Sequence, residues 1–465
     1  MAIPFGENAK ESSAWWGIKK FEQPDYCNQR LSSIANHLQG RDGVATTTQT
    51  VDEADAPAGV KSLALLGIAI LLGSYVVNAM DRQLFPLILP EVRREYGFDL
   101  PEAGLMSTVF TIGMALAGLP TGYLMSRFAR KSVTQIGTLI FSAATVVTVL
   151  ASGFADMLAY RALTGVGEAM QLTALLAILS SYFSRYRAAG VGAVNFTFGV
   201  GAIFGPLLGA AVLSAYGNWR APMVVFGILG FVLMALVAIL VRRSVSEVKL
   251  VDGEDVAVIG GARTLRNRNT VLLVILSCIA GLAAYGFLGM YPTYLREQLN
   301  FTPADTGNVM SIFGLGALAS IGGGFLGDRF PMRPVLVVSL LAQALVGWLL
   351  FNGPASFMAQ AIFAFAWGVV AAGTIYVNMA AYHVKAVSGE LAGRASGIFV
   401  TSFYAAASVA GYTIGWLARE FSWTLAGSVQ LSLICIVGAV LALALKPERM
   451  ARHAASPQFG GLGRA

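Results

Sequence analysis

The sequence predicts an all-α membrane protein with twelve transmembrane helices arranged as two pseudo-symmetric six-helix bundles. Three observations support this fold class. The chain is 56% hydrophobic and only 12% charged, about half the charged fraction of an ordinary soluble domain. Apolar segments long enough to cross a hydrocarbon core of about 30 Å recur along nearly the whole sequence. A ten-residue polar motif also recurs at corresponding places in the two halves.

Each predicted helix is an apolar stretch of about 20 residues, the length that spans a bilayer. The first six predicted spans are 62–89, 103–126, 132–152, 156–182, 189–215 and 221–241. The second six are 271–295, 304–327, 334–352, 355–380, 395–418 and 423–445. The 52 glycines agree with this assignment, because small residues permit close contacts between helices in lipid.

These spans divide the chain into an N-terminal bundle, 61–242, and a C-terminal bundle, 271–446, joined by a basic cytoplasmic linker at 243–270. A cytoplasmic tail covers 447–465. The polar residues 1–60 show no helical or strand period, and we expect a disordered cytoplasmic segment. A partner-binding segment and a start site placed too far upstream are the alternatives. No secretory signal is predicted, because this segment lacks a basic start followed by an apolar run.

The basic residues predict the orientation of the chain in the membrane. With both termini cytoplasmic, 15 lysines and arginines fall in inside loops and 5 in outside loops. Cytoplasmic loops of membrane proteins carry such an excess. The net charge of +7 therefore needs no nucleic-acid partner, and the basic residues form no patch with interleaved aromatic residues. We expect a multi-pass protein of the cell inner membrane, in contact with lipid.

A polar motif follows the second predicted helix of each half. It reads GYLMSRFARK at 122–131 and GFLGDRFPMR at 324–333, an offset of 202 residues. Duplicated six-helix halves around a site at the bilayer midplane are an architecture of transporters. The repeat therefore favours a transport function.

Four ionisable residues lie inside predicted helices of the first half. Asp81 and Arg82 are on helix 1, and Arg161 and Glu168 are on helix 4. A charge at the centre of a spanning helix costs on the order of 2.5 to 3.5 kcal/mol on insertion scales, so each is a candidate functional residue. Helix 1 runs outward and helix 4 runs inward, which places the four residues at comparable depths. We therefore expect cross-helix pairs of Asp81 with Arg161 and of Arg82 with Glu168.

Helical geometry gives Arg82 a polar stripe of its own. Tyr75, Asn78 and Arg82 are spaced at i, i+3 and i+7, which places them on one face. Asp81 is turned by about 100° from Arg82. The two neighbouring charges therefore need not face the same helix.

The four charges sum to zero when all are ionised. An anion bound to an arginine would leave an excess negative charge in a low-dielectric pocket, which is costly. A proton taken up by Asp81 or Glu168 would restore neutrality, so that the anion and the proton favour each other's binding. The alternative is that static ion pairs hold helix 1 against helix 4, although desolvation makes buried pairs weak stabilisers.

The second half offers weaker candidates for a binding site. Tyr285 lies on helix 7, and Trp367 and Asn378 lie on helix 10. Aromatic residues at such positions also serve as packing or interface anchors. His383, near the cytoplasmic end of helix 10, is assigned to a loop. No phosphate-binding glycine loop, catalytic-triad spacing or metal-ligand cluster is present, so no enzyme activity, cofactor or metal is predicted.

The loop motifs, YRALTGVGEA at 160–169 and GVGAIFGPLLG at 199–209 resemble the signatures of the major facilitator superfamily, in order, over about 62 to 445. Within it, Asn-x-x-Asp-Arg on helix 1 and Arg-x-x-x-Gly-x-Gly-Glu on helix 4 resemble the anion:cation symporter family of organic-anion carriers. YPTYLREQLNFTPADTG at 291–307 is also similar to that family. The spinster-like lipid transporters share the helix 1 Asp-Arg pair and a similar GVGEA.

The resemblance implies roles for the buried charges. Arg82 would bind a substrate carboxylate, Asp81 and Glu168 would take part in proton coupling, and Arg161 would support the site. The complete set that we expect to bind substrate is Arg82, Arg161, Tyr75, Asn78, Tyr285, Trp367 and Asn378.

The loop motifs imply gating segments at the cytoplasmic side. Their residues are Gly122, Ser126, Arg127, Arg130, Gly324, Asp328 and Arg329. Ser126 stands where the family usually has Asp. A serine can accept backbone hydrogen bonds at a helix start but brings no charge. We therefore expect a weaker latch between the halves.

Together these features predict a secondary active transporter that imports a small organic anion, a carboxylate, by proton symport through alternating access. Its partners would be the anion, protons and the lipid bilayer, and we expect a monomer. A proton-linked exporter or a carrier of lipid-like amphiphiles is the alternative. The segment GAIFGPLLG at 201–209 resembles a motif of proton-coupled exporters, although close helix packing also explains it. A membrane sensor that does not transport is the third possibility.

Overall fold

The computed structural model describes residues 58–183, 187–247 and 258–453. The expectations for the N-terminal segment up to residue 57, for 248–257 of the linker and for the tail from 454 onward lie outside these residues. Within them, twelve helices are long and apolar enough to cross a membrane. The predicted fold class, an all-α membrane protein of two six-helix bundles, is confirmed.

Each predicted span corresponds to one helix, in some cases divided by a local break. The first six helices are α1 (Ala58–Tyr96), α2 (Leu100–Thr108, continued by Phe110–Arg127), α3 (Arg130–Val147), α4 (Phe154–Tyr182), α5 (Arg187–Tyr216) and α6 (Arg220–Leu240). The next two are α7 (Arg268–Glu297) and α8 (Pro303–Ala317, continued by Ser320–Arg329).

The last four helices include two with π-helical middle segments. They are α9 (Met332–Asn352), α10 (Phe357–Trp367, Gly368–Tyr376 and Val377–Lys385), α11 (Ala392–Ser408 and Ala410–Glu420) and α12 (Trp423–Gly427, Ser428–Leu433 and Ile434–Leu443). The segments Gly368–Tyr376 and Ser428–Leu433 are the π-helical ones.

The first helix is longer than its predicted span. The span was expected to end at residue 89, but α1 continues through Pro86 and Pro90 to Tyr96. Prolines are tolerated inside membrane helices because neighbouring helices can satisfy the backbone groups that a proline frees. The extension carries the charged end of α1 beyond the apolar core of the bundle.

Contacts between helices repeat in the two halves. In the first half α1 packs against α5, α2 against α4 and α3 against α6. In the second half α7 packs against α11, α8 against α10 and α9 against α12. The halves meet along two seams, α2 with α11 and α5 with α8. A shift of six helices maps one half onto the other and exchanges the two seams, as expected for a duplicated architecture.

The turns that begin α2 and α8 repeat the same local chemistry. They read GFDLPEAG at 97–104 and NFTPADTG at 300–307. Asp99 accepts a hydrogen bond at 2.8 Å from the backbone N–H three residues later, and Thr302 does so at 3.1 Å. Each turn is a capping box, in which the acidic residue three positions on binds back to the cap. The duplication therefore extends to the helix caps.

The two halves are in close contact at one end of the bundle and separate at the other. We call the end where α6 connects to α7 the linker face and the opposite end the far face. Near the far face, a Cβ atom added at Gly104 of α2 would lie 2.0 Å from the carbonyl oxygen of Gly411 on α11. Nearer the linker face, a Cβ at Gly122 of α2 or Gly393 of α11 would meet no atom within 4 Å. The seam between α2 and α11 is therefore closed at the far face and open at the linker face.

Ion pairs between the halves add to this closure of the far face. Each joins a charged residue from the α1–α2 region to one from α7 or α11, with a nitrogen–oxygen distance of 2.5 Å. The three pairs are Arg93–Glu297, Glu91–Arg296 and Asp99–Arg419.

A short antiparallel pairing lies at the linker face. Val258–Ile259 of the linker pairs with Arg452–His453, which follow α12. With two residues on each side it leaves the all-α class unchanged. It connects the middle of the linker to residues that follow α12.

Candidate functional site

The four buried charges come together between α1 and α4. Arg82 Nε lies 3.1 Å from Glu168 Oε2, and Arg161 Nη1 lies 3.7 Å from Asp81 Oδ2. Both predicted cross-helix pairs are therefore confirmed. None of the four residues is more than 4% exposed. The charges form a single cluster that protein surrounds almost completely.

A chain of amide and hydroxyl groups fixes the position of Arg82. Asn78 Oδ1 accepts a hydrogen bond of 2.8 Å from Arg82 Nη2. The Asn78 amide nitrogen donates to Gln171 Oε1 at 2.8 Å and to the Glu168 carbonyl oxygen at 3.2 Å. Gln171 in turn donates to Ser74 Oγ at 3.0 Å. Asn78 therefore orients Arg82 and ties α1 to α4.

The second pair, Arg161 with Asp81, has fewer polar contacts. Thr145 of α3 donates a hydrogen bond of 3.0 Å to Asp81 Oδ1. The Arg161 guanidinium lies 4.6 Å from the ring centre of Phe85 and 5.6 Å from that of Phe110, within the range of cation–π attraction. No described residue accepts a hydrogen bond from any Arg161 guanidinium nitrogen. Arg161 therefore contributes a positive charge that is balanced mainly by Asp81.

The two carboxyl groups of the cluster, Asp81 and Glu168, form a carboxyl pair whose members repel each other when both are ionised. A proton on either group removes this repulsion. Neither carboxylate oxygen of Glu168 accepts a hydrogen bond from a described residue. The arrangement can hold one exchangeable proton.

A cavity of about 270 Å³ lies between the two halves. Tyr75, Arg82, Tyr285 and Trp367 of the predicted binding set line it, and Arg82 is its one charged lining residue in the described part of the chain. The lining continues to Ala380 on α10, in the turns nearest the linker face. On the other side of Arg82, a space of only about 10 Å³ is left, room for a single water at most. Arg82 therefore forms the closed end of a chamber that extends toward the linker face.

Three residues of the predicted binding set do not line this cavity. Asn78 and Arg161 lie behind Arg82 in the charge cluster. Asn378 donates hydrogen bonds to the carbonyl oxygens of Gly323, at 2.8 Å, and Thr374, at 2.9 Å. Its amide therefore holds α10 against α8. The spacing of polar residues along α10 alone does not predict this contact with another helix.

His383 was assigned to a loop, and this was wrong. It lies inside the last segment of α10 with none of its surface exposed. Its Nε2 atom is 2.9 Å from the hydroxyl oxygen of Ser277 on α7. The contact with Ser277 gives the buried polar ring a hydrogen-bond partner.

Most of the chain matches a known protein family. The family model described as Major Facilitator Superfamily matches residues 71–411, with a second match at 273–463. The chain belongs to this superfamily. It is therefore a membrane transporter by family, with the twelve-helix fold described above.

Two curated relatives show the range of the similarity. The cis,cis-muconate transport protein of Acinetobacter baylyi is 24% identical over 80% of this chain and 92% of its own length. Protein spinster of Drosophila melanogaster is 29% identical over 37% of this chain, and the match spans only 29% of that relative's length. The first is an organic-anion transporter by its name.

A solved structure agrees on the fold of this transporter. The crystal structure of a bacterial homologue of the human lysosomal transporter spinster, in an inward-facing and occupied conformation, has a TM-score of 0.64. It is 17% identical and is matched over 84% of this chain and 96% of its own. At this identity the likeness concerns the fold alone.

The motif residues at the linker face of this transporter have separate surroundings. Ser126 lies in the last turn of α2, where its hydroxyl donates to the Tyr123 carbonyl oxygen at 2.7 Å and caps no helix start. The backbone N–H groups of Arg130 and Lys131, which begin α3, instead donate to the Glu247 carboxylate at 3.1 and 3.0 Å. The carboxylate of Glu247, which follows α6, therefore accepts the backbone hydrogen bonds at the start of α3.

The other gating candidates divide between the two halves. The Arg127 guanidinium lies 5.4 Å from the ring centre of Tyr123. Asp328 pairs with Lys385 of its own half at 3.1 Å. Gly122, Gly324 and Arg329 lie near the linker-face ends of α2 and α8. The Arg127 and Asp328 contacts each lie within one half, as expected where the halves are apart.

Several site residues were missed by sequence reasoning. Thr145 and Gln171 bind the charge cluster, and Phe399, Phe403 and Tyr404 of α11 line the cavity. A signal existed only for Gln171, which lies three residues after Glu168 and so on the same helical face. Thr and Phe are common in membrane helices, and no pattern separated these copies from the rest.

Proposed function

We propose that this transporter imports a small organic carboxylate together with a proton by alternating access. The observation that carries the proposal is the position of Arg82. It faces the cavity and also contacts Glu168 of the carboxyl pair. An anion in the cavity and a proton on the carboxyl pair therefore act on the same guanidinium.

The charge balance supports obligatory coupling. With one proton on the Asp81–Glu168 pair, the two arginines give the cluster a net charge of +1. A bound monoanion then makes the site neutral. Without the proton, the same anion leaves a net charge of −1 in a low-dielectric site, which is unfavourable. Anion and proton therefore bind as a pair.

Glu168 is the better candidate for the proton carrier. Asp81 accepts a hydrogen bond from Thr145 and lies beside Arg161, and protonation would weaken both contacts. The Glu168 carboxylate has the ion pair with Arg82 and accepts no hydrogen bond from a described residue. When Arg82 turns toward an anion, Glu168 loses its positive partner, and a proton replaces that charge. The movement of one side chain links the two events.

The first prediction concerns Glu168→Gln in proteoliposomes. A glutamine keeps the shape of the side chain but cannot exchange a proton. We expect the variant to lose accumulation of a carboxylate driven by an imposed proton gradient, by at least tenfold. It should retain exchange of labelled for unlabelled anion, which needs no net proton movement. The measurement is uptake of radiolabelled substrate from a panel of aromatic acids, sugar acids and dicarboxylates.

A matched control is Glu95→Gln, which removes a carboxylate paired with Arg220 at the far face, away from the cavity. It should accumulate substrate as the unmodified chain does. Gradient-driven accumulation by Glu168→Gln at the unmodified level would refute the coupling role of Glu168.

Export of an amphiphile is a second candidate function. It is supported by the apolar lining of the cavity and by the similarity to protein spinster. The same vesicles discriminate the two, because import gives accumulation with the proton gradient and export gives expulsion against it. A chain inert to every compound would favour the third possibility, a membrane sensor that does not transport. We further propose that it acts as a monomer in the inner membrane, with both termini cytoplasmic.

A further inference from the structure

The cavity wall is much more aromatic than a carboxylate alone requires. Nine of its 24 lining residues are Phe, Tyr or Trp. Apart from Arg82 and the tyrosines, its polar lining residues are Asn195, Ser320 and Ser396. The lining therefore offers one positive charge, the tyrosine hydroxyls with three further polar side chains, and a large apolar surface.

Five of these aromatic residues form one connected wall on α7, α10 and α11. Phe403 is its centre, with ring centres 6.1 Å from Tyr285, 5.1 Å from Tyr376, 5.7 Å from Phe399 and 5.3 Å from Tyr404. Each of these contacts is an edge or tilted arrangement, in which rings present both edges and faces. A planar ring entering the cavity would find edges and faces to pack against.

Arg82 lies at the closed end of the cavity beside this wall. Its Nε contacts Glu168 and its Nη2 donates to Asn78, and the guanidinium also lines the cavity. Tyr285 and Tyr404 line the same cavity. A carboxylate that binds Arg82 from the cavity would therefore place the body of its molecule against the aromatic wall.

Two other classes of anion fit the lining less well. A sugar acid would bring several hydroxyl groups, and a buried hydroxyl without a partner is unfavourable. A dicarboxylate would bring a second negative charge, but the lining supplies only the charge of Arg82, and the carboxyl pair offers one proton. A volume of about 270 Å³ lies just below the usual range for drug-sized ligands, which favours a small molecule.

We propose that the substrate is a small aromatic monocarboxylate, whose carboxylate binds Arg82 and whose ring packs against Tyr285, Phe403 and Tyr404. This inference rests on the proposed anion transport and adds the substrate class. It assigns ring recognition to the second half of the chain and charge recognition to the first half. The ligand then bridges the two halves.

The test is binding of three defined probes to the purified full-length chain by titration calorimetry. The probes are 3-phenylpropanoate, gluconate and adipate, which represent an aromatic monoanion, a sugar acid and a dianion. We expect 3-phenylpropanoate to bind at least tenfold more tightly than either of the others. Equal or tighter binding of gluconate or adipate would overturn the inference and leave anion transport intact.

A variant pair tests the ring contact itself. Phe403→Leu keeps an apolar side chain but removes the central ring, and we expect at least fivefold weaker binding of 3-phenylpropanoate. Binding of 3-cyclohexylpropanoate, a saturated analogue, should change less than twofold. The control is Phe421→Leu, at an exposed ring that contacts Trp416 outside the cavity, and it should change neither affinity. Equal losses for both analogues would show that Phe403 acts by shape alone, contrary to the proposal.

The outcome also separates this inference from the proposed function. Absence of binding by every probe, in a chain that is shown to be folded by thermal unfolding, would reject the anion site together with the substrate class. Binding of carboxylates in an order other than the one expected would reject only the substrate class.

Discussion

At the scale of single residues, Arg82 and Glu168 depend on each other for stability. Both are nearly inaccessible, and each is the nearest opposite charge of the other. Removing one partner of a buried pair leaves an uncompensated charge and costs on the order of 3–5 kcal/mol. We expect Arg82→Gln to lower the thermal unfolding temperature in detergent at pH 8. The loss should shrink as the pH falls, because a proton can then neutralise Glu168.

The double variant Arg82→Gln, Glu168→Gln provides the contrast. It removes both charges, and most of the lost stability should return at every pH. Arg220→Gln is the matched control, since its pair with Glu95 is a third or more exposed on each side; exposed pairs contribute about 0–1 kcal/mol. If the Arg82→Gln chain is as stable as the unmodified one, the Arg82–Glu168 pair does not contribute to the stability of the fold.

The residues that sequence reasoning found are those with a large cost of insertion. A charge inside a membrane helix is costly and therefore indicates a functional residue. This cost distinguishes Asp81, Arg82, Arg161 and Glu168. Hydroxyl, amide and aromatic groups cost little in such helices, so Thr145 was not distinguishable before the helices were assembled. The position of Asn378 outside the cavity was also not predictable from the sequence, because the rotation of a helix about its axis is set by its neighbours.

At the scale of helices, the close approach of α2 and α11 controls the far face. A Cβ atom at Gly104 would lie 2.0 Å from the Gly411 carbonyl oxygen, a contact that the present arrangement cannot accept. We expect Gly104→Val to shift the chain toward an open far face. Labelling of Ser107→Cys, a site 1% exposed on the same helix, by a water-soluble maleimide should become at least fivefold faster.

The control lies farther along the same helix. Gly122→Val adds the same atoms where nothing lies within 4 Å. It should leave labelling of Ser107→Cys unchanged or slower, because the added methyl groups obstruct only closure of the linker face. Equal acceleration by both variants would indicate general loosening and would contradict the role of the Gly104 contact.

The helices themselves were largely predictable, and their internal breaks were not. Hydropathy identifies a span because about 20 apolar residues must cross the bilayer. The π-helical segment Gly368–Tyr376 of α10 leaves no such trace, since its composition is as apolar as that of its neighbours. It contributes Ala371, Ala372 and Tyr376 to the cavity lining. π-Helical turns are frequent at functional sites, and in this chain one shapes the wall of the chamber.

At the scale of the whole molecule, the two halves are held in their present arrangement mainly at the far face. The glycine contact of α2 with α11 and three ion pairs lie there, while the linker-face ends of the same helices are apart. The sequence could not predict this state, because a repeat of six helices is equally compatible with closure at either face. Which face is closed depends on a few surface charges. The partners of these charges lie about 200 residues or more away along the chain.

The ion pairs at the far face should therefore affect the equilibrium between the state with a closed far face and the state with an open far face. The side chains of these pairs are 11–44% exposed, so each pair contributes about 0.2–1 kcal/mol. We expect the triple variant Glu91→Gln, Asp99→Asn, Glu297→Gln to lose about 1–2 kcal/mol of preference for the closed far face, which is about a tenfold change in population. Spin labels at positions 94 and 298, on the far-face ends of α1 and α7, would report this by electron–electron distance measurement.

Raising the ionic strength should move the unmodified chain in the same direction, because salt screens exposed charges, and should have little further effect on the triple variant. Glu95→Gln breaks a pair inside the first half and is expected to leave the distance distribution unchanged. A triple variant that keeps the short distance at low and high salt would show that close helix packing alone closes the far face. The open state would then have to be selected by the ligand and the proton, through the charge cluster between α1 and α4.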